Sequence, residues 1–447
     1  MNPFIMIDGM NLGLEKGTGV ATYARNLSYC LHDLGCKVGT LYGGSEATGS
    51  NSLLKEIAFF DDIEQNLSKW RIFLRNSHER FSVLGGFTGE EIEISGKVIY
   101  DAYKSRLPYF DALCNSHNLF GRANRSFSNY GFINRVRLSP PPDLMHWTYP
   151  IPLRMSRAKN IYTLHDMVPL RLPYTTLDKK RRYYRLMRKL AATADHIVTV
   201  SESAKKDIIN ILGVPEDKIT NTYQAVTIPD KYRYKPVDVV KREIEGTFGL
   251  TYRGYFLSFG SIEPKKNIGR MIEAYLASGL ETPLVIVGAQ AWKAEQELRL
   301  LDDHIKSLVQ YGSETRVKRK VIRLEYAPFP LLVSLIRGAK ATFFPSLYEG
   351  FGLPVLESML LRTPVLSSNT SSIPEVAGDA ALLINPYETR EMAEAMRRLD
   401  SDEELRNSLV AKGEKQVLLY SEEKYKSRLA ELYGRILGHK KFSLCQT

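Results

Sequence analysis

Short apolar runs alternate with segments of helical period along almost the whole chain. Phe4–Asp8 (FIMID) predicts a buried strand. Behind Gly17 and Gly19, the apolar positions Val20, Tyr23, Ala24, Leu27, Leu31 and Leu34 share one helix face, and Gly35 supplies the stop. A second strand begins at residues 38–42. Further strands are expected at 144–147, 161–165, 197–200 and 219–223, with Ser201 as the N-cap of an intervening helix. A polar, Pro-bounded stretch at 228–236 reads as a linker. Beyond it the same rhythm restarts, with strands at 255–259, 284–287, 321–324, 341–344, 364–367 and 381–384.

Strands that alternate with helices predict parallel sheets joined by right-handed crossovers. The chain thus reads as α/β, with two doubly wound domains facing a cleft. Domain one spans 1–230, with an insertion around 43–142 that is too long for a loop. That insertion holds the helical-looking segment NLSKWRIFLRN and the triple proline Pro140, Pro141 and Pro142. Domain two spans 231–425. The final part, 426–447, contains most of a helix at 422–437 that is expected to cross back toward the first domain, and then a tail.

Composition adds exclusions. Of 447 residues, 44% are hydrophobic and 25% charged, an ordinary globular mix that argues against disorder or a fibre. Cys30, Cys36, Cys114 and Cys445 are too few and scattered for a disulfide framework or a CxxC zinc site. No apolar run reaches the ~18–20 residues of a membrane span, and the start MNPFIMIDGM reads as a strand, not a leader. A cytoplasmic protein is expected. The formal charge of +11 suits an anionic partner without choosing among nucleic acid, membrane and phosphorylated ligand.

The strongest chemical signal is FFPSLYEGFGLPVLESM, at 343–359. A strand runs through a loop holding Glu349, Gly350 and Gly352 into a helix, with Pro354 in the first turn, where its missing N–H costs nothing. Glycines allow close approach, and the free N–H groups of a helix start form an anion site suited to a diphosphate. Glu357 lies about a turn into the helix while Glu349 stays on the loop, so the two carboxylates should address different parts of an elongated ligand. The same anion-site logic applies to Gly17 and Gly19 at the first helix. Lys265 and Lys266, in EPKKN, place two cations at a helix start, against the macrodipole, which favours an anionic partner. His165 and Asp166 end a strand of the first domain, where a cleft residue would sit.

EGFGLPVLE resembles the E-x7-E signature of the group 1 glycosyltransferases (family 4). GTGVATYARNL, YTLHDMVPL, HIVTVSESAKKDI, LSFGSIEPKKNIGRMIEAY and SSIPEVAGDAALLINP are similar to other segments of that family, in the same order. The resemblance implies the GT-B fold of two Rossmann-like domains. It also implies transfer of a sugar from a nucleotide diphosphate sugar to an acceptor hydroxyl, with retention and no required metal or other cofactor. On that analogy Glu357 meets the ribose and Glu349 the donor sugar. Backbone amides around Phe351, Gly352 and Leu353, together with Gly350, Lys265 and Lys266, hold sugar and diphosphate. Gly19 approaches the diphosphate from across the cleft. His165 touches the sugar near its C6 hydroxyl, and Asp166 either orients His165 or lies near the acceptor. The sequence departs from the family where Ser261 replaces a common arginine and where Arg362 and Ala225 replace glycines.

The EPKKN region is similar to that of members using GDP-mannose. A mannosyltransferase extending a lipid-linked bacterial surface polysaccharide of O-antigen type is therefore the leading expectation, with UDP-sugars open. The run KKRRYYRLMRK at 179–189, with seven basic residues and no acid, reads as a solvated helix face or as a patch for an anionic membrane or a lipid diphosphate. DSD at Asp400, Ser401 and Asp402 reads as a helix cap, not a metal motif. Two other classes compete. A Rossmann oxidoreductase or nucleotide-sugar epimerase needs GxGxxG after the first strand, where this chain has GTGVAT. A basic membrane or nucleic-acid binder without catalysis needs salt-sensitive binding and no sugar-nucleotide affinity.

Overall fold

The computed structural model describes residues 2–12, 19–44, 51–60, 86–99, 107–292, 294–295, 297–299 and 320–438. Gly17, most of the NLSKWRIFLRN segment's surroundings at 61–85 including that segment itself, and Cys445 lie outside the described residues.

In the first half the strands are β1 (Phe4–Asp8), β2 (Lys37–Tyr42), β3 (Phe87–Thr88), β4 (Glu90–Glu91), β5 (Ala112–Asn115) and β6 (Asn134–Arg137). They continue as β7 (Leu144–Trp147), β8 (Leu153–Met155), β9 (Lys159–Thr163), β10 (His196–Thr199) and β11 (Ile219–Asn221). Eight of them form one sheet, ordered β11-β10-β9-β7-β1-β2-β5-β4, while β3, β6 and β8 form a small second sheet. Within the large sheet only the β4–β5 pair is antiparallel. The stretch 43–142, for which the sequence offered no content, supplies β4 and β5 to the large sheet beside β2. That part is integral to the domain and not appended to it.

The second half holds β12 (Phe256–Phe259), β13 (Leu284–Val287), β14 (Val321–Leu324), β15 (Ala341–Phe344), β16 (Val365–Ser368) and β17 (Leu382–Ile384). All are parallel, in the order β14-β13-β12-β15-β16-β17. That is the doubly wound order, in which ligands bind at the carboxyl ends of the strands where the order reverses. The reversal falls between β12 and β15. In the first sheet it falls between β1 and β7.

The helices that matter for the site are α1 (Gly19–Asp33), α2 (Leu119–Tyr130), α3 (Lys180–Thr193), α4 (Glu202–Leu212), α5 (Ile268–Ser278), α6 (Leu353–Leu360), α7 (Ile373–Ala377) and α8 (Glu422–Leu437). β7 and β12 are buried at every position, as strands covered by helices on both faces must be. Three apolar clusters follow from this. One covers the outer face of the first sheet and another that of the second. The largest is shared: it runs from Ile5 and Leu27 through Tyr425, Leu429 and Tyr433 of α8 to Leu257 and Leu356. The last helix therefore packs on the first domain, where Lys426 pairs with Asp33 at 2.6 Å and Tyr433 Oη meets His146 Nδ1 at 2.6 Å.

Arg362 has φ = 61°, in the left-handed region that favours glycine. Asp402 accepts the Leu405 N–H at 2.8 Å, a helix cap, while Asp400 holds Lys340. Among the described residues no helix is long and apolar enough to cross a membrane.

Candidate donor site at the domain cleft

The loop from β15 into α6 begins at Pro345 and lies on the β12–β15 reversal point. Gly352 caps α6 with φ = 110°, a conformation side chains resist, and a Cβ there would sit 2.8 Å from Ile373. Beyond it no hydrogen bond among the described residues occupies the N–H groups of Phe351, Gly352 and Leu353. Three unoccupied donors thus lie together at the positive end of α6. The Phe351 ring is turned away into the core against Tyr420 and Tyr223, so that residue offers its backbone.

Glu349 is held on several sides. Lys266 Nζ lies 2.6 Å from Oε1 and Ser346 Oγ donates to the same oxygen at 2.7 Å. Its N–H bonds Ser371 Oγ at 2.9 Å, and Ser372 Oγ bridges the carbonyls of Glu349 and Phe351. Burial alone would raise its pKa, but the Lys266 and Lys265 charges with those bonds hold it below the usual range. Lys265 is the reverse case: burial opposes its charge, yet Glu349, Asp166 and Glu263 keep its pKa above normal. Both lysines follow from a tight turn at Pro264–Lys266, closed by Asn267 with φ = 59°. Asn267 Nδ2 bonds the carbonyls of Pro345 and Pro386, and Leu347 N–H bonds the Lys265 carbonyl. The EPKKN turn is thereby stitched to the glutamate loop. A pocket beside Lys266 is lined by Gly260, Ser261, Phe259, Val287 and Ser346, at the carboxyl ends of β12, β13 and β15.

Glu357 behaves differently. Its carboxyl group has no hydrogen bond among the described residues, and burial pushes its pKa up to about 7, with only the Lys266 charge opposing.

The first domain meets this loop directly. A Cβ on Gly350 would lie 2.8 Å from the His165 carbonyl oxygen and 3.1 Å from Asp166 Cβ, so only glycine fits. Ser201 Oγ donates to the Gly350 carbonyl at 2.7 Å while accepting the Ala204 N–H, the N-cap bond its sequence position implied. Tyr348 Oη donates to Asp207 of α4 at 2.6 Å. Glu375 of α7 accepts the N–H groups of Glu202 and Ser203, capping α4 across the cleft. His165 Nε2 bonds the Thr148 carbonyl at 2.9 Å, and burial lowers its pKa against the opposing Thr148 bond and Asp166 charge. Asp166 accepts the Val168 N–H.

His165, Asp166, Lys265, Lys266, Glu349, Gly350 and Glu357 are therefore brought to one place. Gly19 opens α1, is exposed, and nothing lies within 4 Å of a Cβ built on it, so no packing demands glycine there. Sequence reasoning missed Ser346, Tyr348, Asp207 and Glu375. Only the IPEV segment, which places Glu375 in a first helical turn, carried a signal for any of them.

The profile described as "Glycosyl transferases group 1" matches residues 245–416, and that of "Glycosyltransferase Family 4" matches 105–227. The chain is 31% identical over 288 residues to O-antigen chain mannosyltransferase B of Escherichia coli, covering 63% of this chain and 71% of that one. The chain belongs to the group 1 glycosyltransferases. The glycosyltransferase is also 30% identical over 274 residues to the serotype-specific mannosyltransferase WbdA of Escherichia coli, where the match covers 59% of this chain and about a third (32%) of the longer relative. Alr3699/HepE of Anabaena, solved with UDP and glucose, shares the fold at a TM-score of 0.61 and 13% identity, over 97% of this chain and 100% of that one. The architecture is GT-B, and the oxidoreductase and non-catalytic readings fall with this assignment.

Proposed function

We propose that this glycosyltransferase moves a mannosyl group, with retention, from GDP-mannose to a lipid-linked saccharide during synthesis of a bacterial surface polysaccharide. The observation that carries the donor site is the cluster of three unoccupied N–H groups at the start of α6 beside Lys266. As the bond from the anomeric carbon to the diphosphate oxygen breaks, negative charge grows on the diphosphate. Donors fixed in advance toward that charge lower the barrier. The acceptor hydroxyl oxygen bonds the same carbon, and its proton leaves with the nucleoside diphosphate. Lys266, Lys265, Gly350 and the amides of Phe351 to Leu353 hold the diphosphate. Gly19 approaches it from the first domain, Glu349 meets the sugar hydroxyls, and Glu357 takes the ribose. His165 meets the sugar near C6. Asp166 does not bond the His165 ring, which favours a place on the acceptor side. No metal is required, since lysine and backbone dipoles supply the positive charge.

The names of the relatives support mannose. The neighbour solved with UDP keeps a uridine donor as the second reading. A thermal-shift comparison of GDP-mannose with UDP- and ADP-sugars tests it, because a ligand bound only by the folded state raises the midpoint. GDP-mannose is expected to give the largest rise. A larger rise with a UDP-sugar overturns the donor assignment.

The raised pKa of Glu357 gives a second expectation. Ribose hydroxyls donate to the ionised carboxylate, so binding must expel the proton that Glu357 carries below about pH 7. Donor affinity should be flat above that pH and fall below it, by at most about tenfold per pH unit. Glu357→Gln should bind more weakly and lose the dependence. Calorimetric titrations from pH 5.5 to 8.5 decide, and a flat wild-type profile sinks this role.

The protein is proposed to work peripherally on the inner membrane face. In the basic run, Arg182, Arg185 and Lys189 already bond the carbonyls of Asn124, Phe127 and Gly131, closing the end of α2. Arg181, Arg185, Arg188 and Lys189 remain exposed beside the exposed rings of Tyr184, Tyr130 and Phe132. Cations interleaved with aromatic rings suit an anionic lipid surface. Co-sedimentation should be strong with vesicles containing phosphatidylglycerol and lost in R181E/R188E/F132S. Equal binding by that variant contradicts the surface.

A further inference from the structure

A buried carboxylate outside the donor site reaches it through one hydrogen-bonded chain. Asp8 ends β1 and Thr148 follows β7, so the two face each other across the point where the first sheet reverses its order. Asp8 is fully buried, and its Oδ2 accepts both the N–H and the Oγ–H of Thr148. Its Oδ1 accepts the Met10 N–H at 3.3 Å. Thr148 is thereby held at its N–H and its hydroxyl, and its carbonyl takes the His165 Nε2–H at 2.9 Å.

The consequence is chemical. A carbonyl oxygen only accepts, so Nε2 must carry the proton, and in a neutral ring Nδ1 is then a bare acceptor. The ring is fixed from the side by Tyr23, edge-on with centroids 4.9 Å apart. Tyr23 is itself anchored, through Thr163 and His146, to Tyr433 of α8. We propose that Asp8 is a positioning residue: by holding Thr148 it sets the tautomer of His165, so that Nδ1 presents a lone pair to a hydroxyl of the donor sugar. The inference rests on the reading of His165 as a sugar contact, while its first consequence, the tautomer, is measurable without any substrate.

The test uses the full chain labelled with 15N-histidine, with His165→Gln to assign the signal among eight histidines. In the wild type, long-range proton–nitrogen spectra should show His165 as one species with Nε2 protonated. Asp8→Asn keeps the shape, but an amide oxygen that accepts both Thr148 donors turns its NH2 against the Met10 N–H, so the full bond set of Asp8 cannot be kept. The variant should give a mixture of tautomers and a kcat lowered about 10- to 100-fold, with the donor KM within about threefold of wild type. Thr148→Val, which removes only the hydroxyl, should move both readouts the same way by less, and it serves if Asp8→Asn does not fold. A single unchanged tautomer in the variants overturns the proposal, whatever happens to kcat. Full transfer by His165→Gln instead removes the sugar contact and leaves the control of the tautomer standing.

Discussion

Lys266→Ala should lower kcat/KM for the nucleotide sugar by about 10²–10³-fold, the loss seen when one donor aimed at developing charge is removed. Lys266 Nζ is 2.6 Å from Glu349, and the two side chains are only 20% and 12% exposed. Removing the lysine therefore does two things: it takes a positive charge from the leaving group, and it strands a carboxylate whose low pKa depends on that neighbour. The effects separate in a pair of variants. Lys266→Met should lose thermal stability as well as activity. Adding Glu349→Gln to it should restore much of the stability and none of the transfer. Donor titration of initial rates, beside a melting curve, reads both. A double variant that recovered turnover would show that the pair is only a structural ion pair.

Gly350→Ala should be nearly as damaging for a different reason. The added carbon would meet the His165 carbonyl oxygen at 2.8 Å and Asp166 Cβ at 3.1 Å, both on the opposite domain. Backbone cannot yield there without parting the loop from the first domain. That would also strain the Ser201 and Tyr348 bonds. Since misplacement by about 1 Å can cost 10²-fold, a fall of about that size in kcat is expected. Lys266 and the N–H groups of α6 belong to the second domain and move with the loop, so GDP affinity should fall by less than kcat does, read by calorimetry. Unchanged kcat would mean that the domain contact described here is not the reacting arrangement.

Much of this was legible in the residues. The strands of the second domain are three- or four-residue, mostly apolar runs set off by turn chemistry, and the observed limits differ from the expected ones by a residue or so. EGFGLPVLE placed its loop at the sheet's reversal point because strand, glycines and N1 proline agree on one local geometry. The first domain was harder. β4 is two exposed glutamates on an antiparallel edge, and β6 alternates buried Asn134 and Val136 with exposed arginines, so neither carries an apolar run. The clustered arginines of α3 looked free because the carbonyls they bond lie 58 residues earlier. Asp8 and Thr148 were invisible for the same kind of reason. Their partnership exists only because β1 lies beside β7, and sheet order is not written in either segment.

The proposed chemistry depends on a diphosphate seated at the start of α6. A crystal structure of the full chain with an intact nucleotide sugar measures that directly. Phosphate oxygens should lie about 3 Å from the N–H groups between Phe351 and Leu353 and from Lys266 Nζ, with the ribose hydroxyls on Glu357. A diphosphate bound elsewhere, with those amides facing water and Lys266 still paired only to Glu349, would contradict it.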